Sequence, residues 1–366
     1  MLDTLNIVSH QWASRPADER FLSLPSMLDM LEADRARSAA RVMPNRQIQC
    51  VPEEDHKGLV VVGPNGGAVV PTNWSFGQLA SLAGAPAGYL RTLPSDMAAD
   101  CINYGLQVQR SVDEVGVYLT KTEAGHKELR AATGPNYGRV YNADIIAALI
   151  ERFGDGATAG GFKVPGEFGK DVPITTANTT LYASDRDMFV FLADECNRIE
   201  IPNRRNGQSG SLARGFYVAN SEVGASTLII GLVLFDYACM NRILWGVAQH
   251  VEHRYRHTSG APLRWIEEAQ PLLYTYANAS AGPIEAKILA AQAAKIDKVE
   301  EFLAKRFTAP QARAFQAAHL AEEGRPIETI WDAVTGATAF ARGIEHMDKR
   351  TQVERDAGKL LDLVAA

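Results

Sequence analysis

The sequence has little that commits it to a chemistry. Four cysteines, Cys50, Cys101, Cys196 and Cys239, are spread over 366 residues. No two form a CxxC pair, which argues against a thiolate zinc site or a disulfide framework and leaves free thiols in a reducing compartment. The longest apolar run, Leu228 to Ala238, is too short to span a bilayer and contains Asp236. GxSxG, P-loop, GxGxxG and HExxH patterns are all missing. The glycine-rich "GDGATAGG" at 154–161 lacks the lysine of a P-loop and reads as a loop. Excess positive charge is missing too. The net charge is −6 with a pI near 5.8, whereas a protein devoted to coating duplex DNA is usually basic, so any nucleic-acid contact must come from local patches. The opening "MLDTLNIVSHQW" has no basic stretch followed by an apolar one, so no signal peptide is expected and the chain is expected in the cytoplasm, away from membranes.

What is present is ordinary globular composition, 46% hydrophobic and 22% charged. Residues 1–45 form a polar segment, with helical spacing predicted from Ser26 to about Arg41. Over 46–110 a small hairpin is predicted, Leu59–Val70 around "GPNGG", followed by short helices broken at Gly84 and Pro94. The stretch 111–280 is predicted as an α+β core. Its strands include "VGVYLT", "KELRAATG", "TTLYASDRDMFVFLAD" and a pair around a turn at Glu222–Ser226. One helix, with Asn142 as N-cap candidate and Gly154 as its stop, interrupts them. From 281 to 366 the chain reads as alanine-rich helices. Strands followed by a block of helices predict an α+β fold with a central, largely antiparallel sheet, an N-terminal helical hairpin and a C-terminal helical region.

Three segments are candidates for function. "HVEHRYRHT" at 250–258 holds three of the eight histidines. As a helix, His250 and His257 would lie about 10 Å apart along the axis, too far to share one metal ion. As a strand, Val251, His253, Tyr255 and His257 alternate with Glu252, Arg254, Arg256 and Thr258, leaving arginines on one face for phosphates or solvent. The strand reading is preferred. The segment "IPNRRNGQSGSLARG" reads as a flexible basic loop carrying Arg204, Arg205 and Arg214, suited to phosphate contacts through paired guanidinium hydrogen bonds. In "SDRDMF", Asp185 and Asp187 would share a strand face, with Glu222 across the sheet, an arrangement that could hold a magnesium ion. "FGQLASLAGAPAGYL" has some helix-turn-helix spacing, but its second helix offers too few polar positions to read bases, and a plain helical hairpin is expected.

Several of these stretches together resemble the phage/plasmid-like protein family, a domain-of-unknown-function family of phages, plasmids and integrative elements. They include "QLASLAGAPAGYLRTLP", "LRAATGPNYGRVYNADIIAAL", "TTLYASDRDMFVFLAD", "RGFYVANSEVGAST" and "IWDAVTGATAFAR". They fall in order from about residue 70 onward. The resemblance implies a mobile-element context and carries no catalytic residues. With that context, the expected function is non-enzymatic binding or annealing of single-stranded DNA, without a cofactor, through a positive groove and stacking aromatics. The expected contacts are Tyr137, Arg139, Arg204, Arg205, Arg214, Arg254, Arg256 and His257. Further copies of the chain, or a protein of the host or the element, are the other expected partners. Two rival readings stand beside it. One is a metal-dependent phosphodiesterase using Asp185, Asp187, Glu222 and His257; the other is a protein-interaction factor acting on a host defence system.

Overall fold

The computed structural model describes residues 16–54, 58–64, 66–108, 113–122, 124–157, 161–165, 173–194, 196–205, 208–236, 242–243, 252–280, 282–341, 343–344, 353 and 356–364. The fold is α+β, built on two sheets where one was expected. The strands are β1 (Arg20–Phe21), β2 (Ser38–Pro44), β3 (Gln49–Pro52), β4 (Leu59–Val62), β5 (Ala68–Pro71), β6 (Glu114–Lys121), β7 (Lys127–Thr133), β8 (Phe162–Lys163), β9 (Leu181–Ala183), β10 (Met188–Asp194), β11 (Ile199–Arg205), β12 (Gln208–Asn220), β13 (Leu228–Asp236), β14 (Arg242–Ile243) and β15 (Glu252–Tyr255). The smaller sheet runs β2-β6-β7-β5-β4-β3 and is mixed, because β5 pairs parallel with β7. The larger is antiparallel in every described pairing along β1-β9-β10-β12-β13-β14, with β8, β11 and β15 attached to it.

The first helix, α1 (Leu24–Ala36), is shorter than the periodicity predicts. Residues 38–44 leave it and pair along their whole length with β6, so a strand replaces the expected last turn. Sheet pairing outweighs local helical spacing there. Helices α2 (Asn73–Leu82), α3 (Ala87–Leu90) and α4 (Ser95–Val108) pack on the smaller sheet around Leu79, Ile102, Val117 and Leu129. The Asn103 side chain of α4 accepts from the Cys50 amide and donates to the Cys50 carbonyl, each at 2.8 Å, so it closes the open edge of β3 as another strand would.

Helix α5 (Asn142–Phe153) and α1 cover one face of the larger sheet. They share a core of Leu24, Ile145, Leu149, Val190 and Val218, joined by Trp265 and Leu273. These last two sit on a continuous helical run: α6 (Ala261–Arg264), a π turn over Trp265–Ala269, and α7 (Gln270–Asn278). On the other face, Tyr217 lies flat over Gly231, where a Cβ would stand 1.8 Å from the Tyr217 ring. Only glycine fits beneath that ring.

Helices α8 (Gly282–Ala293), α9 (Val299–Ala304), α10 (Ala309–Glu323) and α11 (Ile330–Ala341) form the predicted C-terminal helical region. Their core includes Phe315, Trp331 and Val334, and it takes in Ile199 and Leu212 from β11 and β12. This explains the largest departure from expectation. The basic segment read as a flexible loop is mostly the β11–β12 hairpin, because the helices supply the apolar surface that buries Ile199 and Leu212. Among the described residues no helix is long and apolar enough to cross a membrane.

Candidate functional site

The two sheets meet where the β12–β13 turn, Asn220 to Ala225, reaches the smaller sheet. The turn is held from both sides. Trp74 Nε1 and Gln78 Nε2 donate to the Val223 carbonyl at 3.0 and 2.8 Å, while Gln78 Oε1 accepts from the Ala132 amide at 3.0 Å. From the segment between β7 and α5, Tyr137 Oη donates to the Ser221 carbonyl at 2.7 Å and Arg139 Nε to the Glu222 carbonyl at 2.8 Å. Asn220 Nδ2 donates to the Val140 carbonyl and to Asn142 Oδ1.

Glu222 is the buried carboxylate of this junction. Its Oε1 accepts from the Asn142 amide at 2.7 Å and its Oε2 from the Tyr118 hydroxyl at 3.0 Å. Asn142 is the first residue of α5, so Glu222 meets a helix N-terminus, where unpaired amides and the helix dipole favour negative charge. Asn142 itself was the expected cap. The cap comes instead from a residue distant in sequence, because the preceding residue, Tyr141, has no suitable side-chain oxygen in place. Burial pushes the Tyr118 phenol well above its ordinary value, and the Glu222 charge adds to it.

Around Tyr118 cationic and aromatic groups gather in one cluster. The Arg130 Cζ lies 5.4 Å from the Tyr118 ring centre, and the Arg139 Cζ lies 4.1 Å from the same ring and 5.5 Å from that of Tyr137. The Tyr137 ring stacks on His257 with centroids 4.8 Å apart and planes 25° from parallel. A β-bulge between β6 and β7 places Arg130 here: Tyr118 pairs with Ala131, but Leu119 pairs with Leu129, so Arg130 is the extra residue. Leu129 and Ala132 face the smaller sheet's core, while Ala131 packs at the junction. Bulges re-aim side chains in this way.

His257 joins the cluster through Tyr137. Gly138 N donates to the His257 carbonyl, and His257 Nδ1 sits 3.1 Å from the Gly138 carbonyl. A Cβ on Gly138 would stand 1.9 Å from the Thr258 carbonyl oxygen, so glycine permits this close approach. Burial lowers the His257 pKa; the Gly138 carbonyl opposes this, and Arg139 and Arg264 lower it further. The ring is therefore neutral near pH 7. A carbonyl can only accept, so Nδ1 carries the proton and Nε2 is left as an acceptor. Nε2 is buried and has no hydrogen-bond partner among the described residues.

The expected contact residues are distributed unevenly. Tyr137, Arg139 and His257 come together in the cluster. Residues 252–255 form the predicted strand, with Arg254 exposed on it and Arg256 exposed just beyond. His250 lies outside the described residues. Arg204 and Arg205 end β11, and their side chains also lie outside what is described.

Arg214 belongs to the interior, which corrects the loop reading. It is 5% exposed, stands 3.7 Å from Asp194, and donates to the Tyr276 and Ala279 carbonyls at the end of α7. Its charge serves a helix C-terminus and cannot reach a phosphate at the surface. Asp185 and Asp187 are corrected as well. They occupy the turn between β9 and β10, where Ser184 donates to Asp187 Oδ1 at 2.7 Å, so no strand face aligns them. Among the described residues no three His, Cys, Asp or Glu side chains are grouped to hold a metal ion.

Tyr118, Arg130, Trp74 and Gln78 were not singled out from the sequence. The one legible signal was a charged residue inside the strand "KELRAAT", where only a bulge or a buried partner could accommodate it. Comparison of the chain with protein-family models, with curated proteins and with solved structures finds no match.

Proposed function

We propose that the protein binds single-stranded nucleic acid on the side of the sheet junction marked by Tyr137, Arg139, Arg256 and His257, in the service of a mobile element and without catalysing a reaction. The observation that carries this reading is the cluster of guanidinium and aromatic groups around Tyr118 and Tyr137. Single strands are held sequence-tolerantly by cations that track the phosphates and by rings on which bases stack. Among the described residues Arg139 donates a hydrogen bond through its Nε alone, which leaves its terminal N–H groups for a ligand. Arg256 is exposed, and only its backbone carbonyl is hydrogen-bonded among the described residues.

The test is fluorescence anisotropy of a labelled single-stranded oligonucleotide beside its duplex at low and high salt. The expected result is preference for the single strand, with affinity falling steeply as salt rises. Arg256→Ala should weaken binding evenly across sequences and reduce the salt slope by about one. Failure to bind either form at low salt would remove the reading.

A further inference from the structure

Arg130, in the same cluster, has more hydrogen-bond donors than partners. It is 8% exposed. Among the described residues its guanidinium donates one hydrogen bond, to the Asp185 carbonyl at 3.0 Å, and its Nε is buried without a partner. Its Cζ also lies 5.4 Å from the centre of the Tyr118 ring. A guanidinium carries five N–H donors. A buried charge is costly unless it is paired and hydrogen-bonded.

The nearby carboxylate does not supply that pairing. Both Glu222 oxygens are engaged by Tyr118 and Asn142. None of the ion pairs among the described residues includes Arg130 or Arg139. Two guanidiniums therefore approach the same tyrosine ring with donors to spare. The β-bulge sends one of them there, at the expense of a regular ladder.

We propose that Arg130 and Arg139 form a phosphate-binding site beside the Tyr118 ring. Each guanidinium can present two parallel N–H groups to two oxygens of one anion. A carboxylate has two oxygens in one plane and satisfies a single fork. A phosphate group has oxygens arranged tetrahedrally and can meet two forks from different directions. Either a strand backbone or a free inorganic ion supplies such a phosphate, and only the first source rests on the single-strand reading above.

Thermal unfolding of the full chain in inorganic phosphate, against chloride at matched ionic strength, tests the site without nucleic acid. Ligand that binds only the folded state raises its stability as concentration rises. The melting temperature should climb with phosphate and stay level in chloride. Arg139→Gln should lose most of the climb. Arg130→Met, which removes the charge and keeps the bulk, should lose it as well, with no lower melting temperature in chloride. A wild-type melting temperature that ignores phosphate would overturn the site.

The labelled single strand then separates the sources. If phosphate competes with the strand, and Arg139→Gln lowers both strand affinity and the salt slope by about one, the occupant is a strand phosphate. Phosphate stabilisation without strand binding would keep the site, assign it to the free ion and defeat the single-strand reading. Strand binding with no phosphate response and no effect of Arg139→Gln would defeat the site alone.

Discussion

Replacing Glu222 tests whether its carboxylate joins the two sheets. Glu222→Ala removes the acceptor of the Tyr118 hydroxyl and of the Asn142 amide together, at a residue only 7% exposed. Hydrogen bonds to a charged group contribute roughly 1.5–3 kcal/mol each, so losing two should cost about 3–6 kcal/mol. Glu222→Gln behaves differently. Its carbonyl oxygen can still accept from Asn142, and its amide can donate to the Tyr118 oxygen, which reverses that bond's direction. Only the charge assistance is lost, so the expected cost is about 1–2 kcal/mol. Urea unfolding followed by circular dichroism gives both numbers from the midpoint and slope. A Glu222→Ala cost below about 1 kcal/mol would refute the anchoring role. Equal costs for the two variants would refute the hydrogen-bond argument and leave charge as the cause.

Three further outcomes follow from the geometry. His257 has a folded pKa below its unfolded value, so its contribution to stability is present above about pH 6.5 and is lost as pH falls through the folded pKa. Denaturation midpoints should drop on acidification from pH 7 toward 5, and less so in His257→Asn; identical profiles would exclude His257 as the cause. Gly138→Ala should push the Thr258 carbonyl away and separate Tyr137 from His257, lowering stability by about 1–3 kcal/mol, as overpacking does, and weakening strand binding. An unchanged melting temperature would show that this contact yields freely. Burial raises the Asp332 carboxyl, but the paired hydrogen bonds from Arg325, with the Glu328 amide and Thr329, outweigh it and hold the carboxyl below its ordinary value. Its contribution is present above the unfolded carboxylate pKa near 4 and disappears as pH falls through the folded value. Acid titration of the urea midpoint should show that loss, and Asp332→Asn should flatten it; a slope unaltered by the substitution would place the acid sensitivity elsewhere.

Much of the fold could be read directly from the chain. The Leu59–Val70 hairpin, the helix ending at Gly154, the Glu222–Ser226 turn and the C-terminal helices follow from turn chemistry and hydrophobic spacing within a few residues of one another. The α+β class follows from their order. Where the prediction failed, the cause was a distant partner. The helix stops at Ala36 because 38–44 pairs with β6. The basic loop becomes a hairpin because helices far along the chain cover Ile199 and Leu212.

The candidate site divides the same way. Tyr137, Arg139 and His257 could be named from composition, since aromatic and basic residues suit nucleic acid wherever they are exposed. Arg214 fitted that composition equally well, and only packing against Asp194 and the end of α7 separates it from them. Arg130 illustrates the opposite case, a charged residue among the buried positions of its strand that the bulge turns toward Tyr118. Local sequence determines which conformations a segment favours, because backbone sterics and side-chain spacing act over a few residues. Which charges are buried, and which of them meet, was decided by the tertiary structure, because those contacts join segments that approach only when both sheets are assembled.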